Sequence, residues 1–143
     1  MILPDVNILV YAHRRDMPDH GAYRDWLAAE VNSDAAFGLS DLVLSGFIRI
    51  VTHPRVFQAP TKLDDAMAFA SQLRNQPNRI GVAPGTRHWE IFAGLCVSAG
   101  AKGNLVPYAY FAALAIEHGC QWITTDRDYS RFAGLNWRHP LVS

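Results

Sequence analysis

Apolar positions along this chain fall into two alternating kinds of run. Short, nearly continuous runs read as buried strands, and longer ones with an apolar residue every three or four positions read as one-sided helices. Ile2 and Leu3 lead through Pro4 to Asp5, so a short strand ends at Asp5 and a helix follows directly with Val6, Ile8, Leu9 and Val10. Asp19 to Asn32 is a helix with Tyr23, Trp26, Leu27 and Ala28 on its apolar side. Ala35 to Leu39 is a strand, and Ser40 then stands as N-cap before Leu42, Val43, Phe47, Ile48 and Val51 at helical spacing. His53-Pro54 closes that helix, because the residue before a proline disfavours the αR region.

Thr61 and Asp64 form a capping arrangement for a helix through Met67, Phe69, Ala70 and Leu73, which Pro77-Asn78 ends. Ile80 to Ala83 is a strand, and Pro84-Gly85-Thr86 turns into a helix carrying Trp89, Ile91, Phe92, Leu95 and Cys96. Beyond Gly100 and Gly103, Pro107 fits the first turn of a helix from Tyr108 to His118, with Gly119 at its C′ position. Gln121 to Thr125 is a strand that ends at Asp126. Strands alternating with helices predict an α/β fold, with a mostly parallel central sheet and helices on both faces.

Composition adds bounds to this pattern. At 143 residues, 50% hydrophobic and 18% charged, the chain reads as one domain, 1–143, with a full core. It is too apolar for a disordered tail. Thirteen basic residues balance thirteen acidic ones, so no global field draws in a polyanion. A nucleic-acid partner would have to be held by local patches or bound cations. Residues 1–71 carry six basic and nine acidic residues, and residues 72–143 carry seven and four, so the halves differ in sign. Cys96 and Cys120 lack metal-ligand spacing and read as small buried hydrophobes of a protein in a reducing cytoplasm. The N-terminal stretch has neither a basic start nor an unbroken apolar core, and no run approaches the ~20 residues of a membrane span.

The candidate chemistry sits at strand ends. Asp5 closes the first strand, and Asp126 with Asp128 follows the last. In open parallel sheets ligands bind at the carboxyl ends of strands, so these acids would converge on one edge. Clustered carboxylates repel unless a cation neutralises them, and oxygen-rich sites of this kind suit Mg²⁺ or Mn²⁺. Equally, aspartates after strands serve as N-caps and turn residues. Asn7 is placed to orient Asp5 or a metal-bound water, or is an ordinary first-turn residue. The six histidines show no zinc-ligand spacing, and neither a phosphate-binding glycine loop nor a nucleophile elbow is present.

Four segments in order, PDVN, LSGFIRIVTHPRVF, GNLVPYAYFAALAIEHG and TTDRDYSRFAGLNW, give the whole chain a resemblance to PIN domains, and most closely to VapC-type toxins of type II toxin–antitoxin systems. The resemblance implies a Mg²⁺- or Mn²⁺-dependent endoribonuclease of three-layer α/β fold. It implies a homodimer that cleaves RNA and is held inactive by a VapB-type antitoxin. The family's first acid matches Asp5, its asparagine companion Asn7, and its late acid Asp126, with Asp128 close behind.

Two positions depart from the pattern. Ser45-Gly46-Phe47 stands where the family often has a Glu between Ser and Phe, and Val106-Pro107-Tyr108 stands where it expects Asp after Pro. Tyr108 thus occupies the position of a metal ligand with a neutral phenol, whose reference pKa is ~10. The expectation is a weakened nuclease, by a change one nucleotide from the Asp codon.

Arg127, Arg131, Lys102 and Arg55 are the candidate RNA-phosphate contacts around the acids. Trp89, Trp122 and Trp137 fall in apolar segments and read as core. Tyr23, Trp26, Leu27 and Phe47 fit either core or a partner surface. The competing reading is a PIN-like module that only binds an antitoxin or RNA. A phosphotransfer enzyme with Asp5 as nucleophile is disfavoured, because Asp5 has no acidic neighbour and Asn7 stands two residues on.

Overall fold

A computed structural model describes residues 1–142. Elements follow in the order β1 (Ile2–Pro4), α1 (Val6–His13), α2 (His20–Val31), β2 (Phe37–Leu39), α3 (Asp41–Val51), α4 (Leu63–Arg74), β3 (Arg79–Gly81), α5 (His88–Ala99), α6 (Leu105–Glu117), β4 (Gln121–Ile123), a 3₁₀ turn (Arg127–Arg131) and β5 (Trp137–Arg138). All three strand pairings are parallel: β1 with β4, β4 with β5, and β2 with β3. The two short sheets abut where β2 meets β1. A Cβ on Gly38 would stand 3.1 Å from the Ile2 carbonyl oxygen, so glycine is what permits the approach. The strands therefore run side by side in the order β3-β2-β1-β4-β5.

The core is drawn from every layer, with Leu3, Ile8, Leu9, Phe37, Val43, Phe47, Leu114, Trp122 and Ile123 almost wholly enclosed. Helix α1 packs against α2 and α3, α3 against α4, and α5 along α6. Ser40 caps α3 as expected, its Oγ accepting the Val43 N–H at 3.5 Å. Gly119 closes α6 at φ +64, a conformation that glycine adopts without strain, and the Cys120 N–H reaches back to the Ala115 carbonyl at 2.9 Å. Tyr23, Leu27 and Phe47 are core and Trp26 is half-buried, so this stretch of the first half is interior rather than partner surface.

Three expectations need correction. Thr61 does not cap α4, whose N-cap position is Lys62 with no side-chain cap; the Thr61 hydroxyl instead faces His13 Nε2 and Arg14 Nη1, each at 3.3 Å. Trp89 is not core but 70% exposed. Its neighbour His88 takes the inward position, with Nε2 2.9 Å from the Tyr110 carbonyl oxygen, and turns Trp89 outward. Helix α6 begins at Leu105, three residues before Tyr108. Among the described residues no helix is long and apolar enough to cross a membrane.

Candidate active site

Neighbouring strands β1 and β4 end in register, Pro4 opposite Ile123, so Asp5 and Thr124 leave the sheet side by side. The Asp5 N–H still donates to the Ile123 carbonyl at 2.8 Å, extending the ladder by one bond. At that point the chain turns into α1 with Asp5 as its N-cap. Oδ1 accepts the Val6 N–H at 2.6 Å. Oδ2 accepts the hydroxyl of Thr124 at 2.7 Å.

Thr124 is wholly buried and is the hub of the site. Its Oγ1 donates to Asp5 and accepts both the Asp126 N–H (3.1 Å) and Asn7 Nδ2 (3.3 Å). Asp126 in turn accepts the Asp128 N–H on Oδ1 at 2.9 Å and the Tyr108 hydroxyl on Oδ2 at 2.5 Å. The Tyr108 ring stacks on Tyr129, centroids 4.9 Å apart and planes 11° from parallel. Asp5, Asn7, Tyr108, Asp126 and Tyr129 line one side of a cleft of about 660 Å³ whose other walls come from α1, α3 and the Val56-Phe57 segment.

Burial dominates the electrostatics. It pushes the Asp5 carboxyl up to about 6, against the opposing pull of the Thr124 and Val6 hydrogen bonds, and the nearby Asp126 charge adds to the rise. Donation to Asp126 holds the proton on Tyr108 and raises that phenol to about 12. Tyr108 is therefore a neutral donor at any pH near 7. Tyr129 is also raised, chiefly by burial.

The candidate metal donors of the cleft are oxygens. Asp5, Asp126 and the buried Oδ1 of Asn7, which has no hydrogen-bond partner, are hard oxygen ligands suited to a cation that keeps several waters. They match Mg²⁺ or Mn²⁺ in kind. In number they are a carboxylate short, since among the described residues no group of three or more His, Cys, Asp or Glu is placed to hold a metal. Tyr108, where the resemblance expects an acid, instead donates its hydroxyl to Asp126 Oδ2.

The structure thus gathers Asp5, Asn7, Asp126 and Tyr108 on one cleft. Asp128 is exposed and lies 3.6 Å from Arg131 Nε, in an adjoining cleft with Lys102 that shares Tyr108 as its wall. Arg55 is exposed and stands outside the main cleft, although the next two residues line it. Arg127, at the start of the 3₁₀ turn, lines a separate cleft rather than the main one.

Sequence reasoning missed Thr124 and Arg49. Pairing of Thr124 with Asp5 follows from strand register, which no local pattern announces. Arg49 lines the cleft from α3, and its spacing from Ser45 and Gly46 on the same helix face was the available signal. At Gly46 a Cβ would stand 3.0 Å from Val6 Cγ2, so a Glu there would require Val6 to shift.

The PIN domain family pattern matches residues 2–135. Ribonuclease VapC43 of Mycobacterium tuberculosis is 45% identical over 141 residues, covering 99% of this chain and 96% of that protein. Ribonuclease VapC25 of the same species is 39% identical over 142 residues, covering 99% and 100%. Among solved structures, VapBC2 from Rickettsia felis, bound to a DNA fragment from its promoter, superposes with a TM-score of 0.69 at 18% identity, covering 96% of this chain and 98% of that one. With acids at the ends of adjacent parallel strands and relatives aligned over nearly its full length, this chain belongs to the PIN domain family.

Proposed function

We propose that this chain is the endoribonuclease toxin of a type II toxin–antitoxin pair, acting on RNA with Mg²⁺ or Mn²⁺ and weakened by Tyr108. The observation that carries the reading is the Asp5–Thr124–Asp126 network at the carboxyl ends of β1 and β4, in a chain 45% identical to a protein named a ribonuclease. A VapB-type antitoxin is the partner this reading assigns, supported by the likeness to a VapBC chain. A homodimer acting in the cytoplasm completes it.

In this mechanism Asp5 and Asp126 would hold the cation, with Asn7 Oδ1 available beside them. A bound divalent ion supplies charge neutralisation at a phosphate oxygen and an activated water. The chain's own residues do the positioning. Thr124 ties the Asp5 carboxylate and the Asp126 backbone N–H to one hydroxyl, so the two strand ends are held together. Its bond from Asn7 Nδ2 turns the Asn7 oxygen toward the unpartnered side. Arg49 brings a positive charge to the cleft opposite the acids, where it can pair with a phosphate.

A second reading, a docking module without catalysis, is favoured by one observation: the Tyr108 hydroxyl already holds Asp126 Oδ2. One substitution separates the two. Tyr108→Asp should yield RNA cleavage that depends on Mg²⁺ or Mn²⁺, stops in EDTA, and exceeds that of this chain by on the order of 10²-fold. Asp5→Asn added to that variant should abolish it. If neither Tyr108→Asp nor this chain cleaves, the docking reading stands; if both cleave alike, Tyr108 does not weaken the nuclease.

A further inference from the structure

Beyond β4 the chain bends at Thr125 and is extended at Asp126 (φ −91°, ψ 112°) before the 3₁₀ turn begins at Arg127. Thr124 and Asp126 serve the acidic cleft. Thr125 and Arg127 line a second cleft of about 580 Å³ on the other side of the same segment. Gln121, Ser130, Trp137 and Arg138, with His139 and Val142, complete its wall, and among the described residues none that lines it has an acidic side chain. One strand end therefore divides an acidic cleft from a basic one.

We infer that the second cleft is a binding site for single-stranded RNA next to the scissile phosphate, an inference that rests on the nuclease reading above. Its chemistry is that of a nucleotide. Arg127 is exposed and in no ion pair among the described residues, so its guanidinium is available for a phosphate. Arg138 Nε is instead 3.2 Å from Gln121 Oε1, which fixes the second guanidinium against the wall. Trp137 is half-buried on edge strand β5, where its indole offers a face to a base. Ser130 and Thr125 bring hydroxyls that suit base edges or a ribose 2′-OH. A neutral chain that binds RNA needs such a local patch, and among the described residues this cleft holds two arginines and no side-chain carboxylate.

The test uses a short fluorescein-labelled oligouridylate, the full chain, and anisotropy in EDTA, where binding is read without cleavage. Arg127→Ala should weaken binding at least about fivefold and lower the slope of log K against log salt by ~0.7, one phosphate contact on a single strand. Trp137→Leu should lose about fivefold or more, while Trp137→Phe, which keeps a ring, stays near the parent. Arg24→Ala removes an exposed charge on α2 and should change binding by less than about twofold. The inference is overturned if Arg24→Ala and Arg127→Ala behave alike, or if this chain does not bind the oligonucleotide. It is also overturned if polyglutamate at equal charge displaces the RNA as well as unlabelled oligouridylate does, since the cleft would then fit an acidic polypeptide. Cleavage by Tyr108→Asp that is indifferent to Arg127→Ala, with binding unchanged, removes this site and leaves the nuclease reading intact. Arg127-dependent binding without any cleavage by Tyr108→Asp does the reverse.

Discussion

Helix α1 buries a charge at each end, and the two ends are treated oppositely. At its C-terminal end Arg14 is 8% exposed and fully partnered. Its Nε and Nη2 reach Asp16 at 2.9 and 2.6 Å, Nη1 reaches the Ala59 carbonyl at 2.8 Å, and the guanidinium lies 3.9 Å from the Phe57 ring centroid. A cation there also suits the negative end of the helix. At the N-terminal end Asp5 is 6% exposed, its donors are neutral, and another carboxylate stands nearby. The helix end favours an anion, yet burial wins and the carboxyl rises to about 6. A charge that shapes the fold is satisfied within the fold. One left short of a counter-charge in a cleft marks a place for a ligand.

The largest effect on stability should come from breaking the satisfied end. Arg14→Met keeps the apolar stem but leaves the Ala59 carbonyl and Thr61 without their donor and ends the contact over Phe57. The expected loss is about 3 kcal/mol, or a Tm lower by about 10 °C. Because the tethered segment carries Val56 and Phe57 into the main cleft, its amide protons should exchange faster as well. A Tm change under about 2 °C would show that the clamp is not structural, and the contrast between the ends would collapse.

Asp5→Asn probes the unsatisfied end, and its effect should have the opposite sign. Folding raises the Asp5 pKa from 3.8 to about 6, so the native state binds more protons than the unfolded one between those values. Stability contributed by this group is therefore greatest below about pH 4 and is lost as pH rises through about 6. At pH 7.5 in EDTA the ionised carboxylate costs roughly 3 kcal/mol, and the amide should recover about 1–2 kcal/mol of it, since it offers one acceptor where Asp5 offered two. At pH 4 the two proteins should melt together. Thermal melts from pH 4 to 8 check this, and a gap that does not widen with pH would mean that Asp5 has a counter-charge after all.

The two ends were also unequally legible in the sequence. Asp5 was visible because a short apolar strand runs straight into it and a helix follows, a pattern carried by adjacent residues. Ser40 and Gly119 were legible for the same reason, as each acts within a few positions of itself. Thr124 and Arg14 were not. Thr124 meets Asp5 across 119 positions, and Arg14 meets Ala59 across 45, so only the folded register brings them together. Local capping logic failed at Thr61 because Arg14 and His13 compete for the same hydroxyl. Nearness of Arg127 to Asp126 in sequence did not say which cleft it lines, because the chain bends at Thr125 and turns into the 3₁₀ segment at Arg127. Short β5 has too few residues to show any period.

The smallest effect is the most discriminating, because it asks whether Tyr108 blocks the unsatisfied end or serves it. Tyr108→Phe keeps the ring stacked on Tyr129 and removes only the hydroxyl that donates to Asp126 Oδ2. Losing this half-exposed hydrogen bond should lower stability by about 1 kcal/mol in EDTA. It should also free an oxygen for a hard cation. Millimolar Mn²⁺ should then raise the Tm of Tyr108→Phe more than that of this chain, and that of Tyr108→Asp more still, since ligand binding to the native state stabilises it in proportion to the logarithm of its saturation. That order follows if the phenol at about 12 acts as a neutral competitor for Asp126. If Mn²⁺ stabilises Tyr108→Phe less than this chain, the hydroxyl is a ligand rather than a competitor. The carboxylate end would then be complete with Tyr108 in place, and its buried Asp5 would differ from Arg14 only in waiting for its cation.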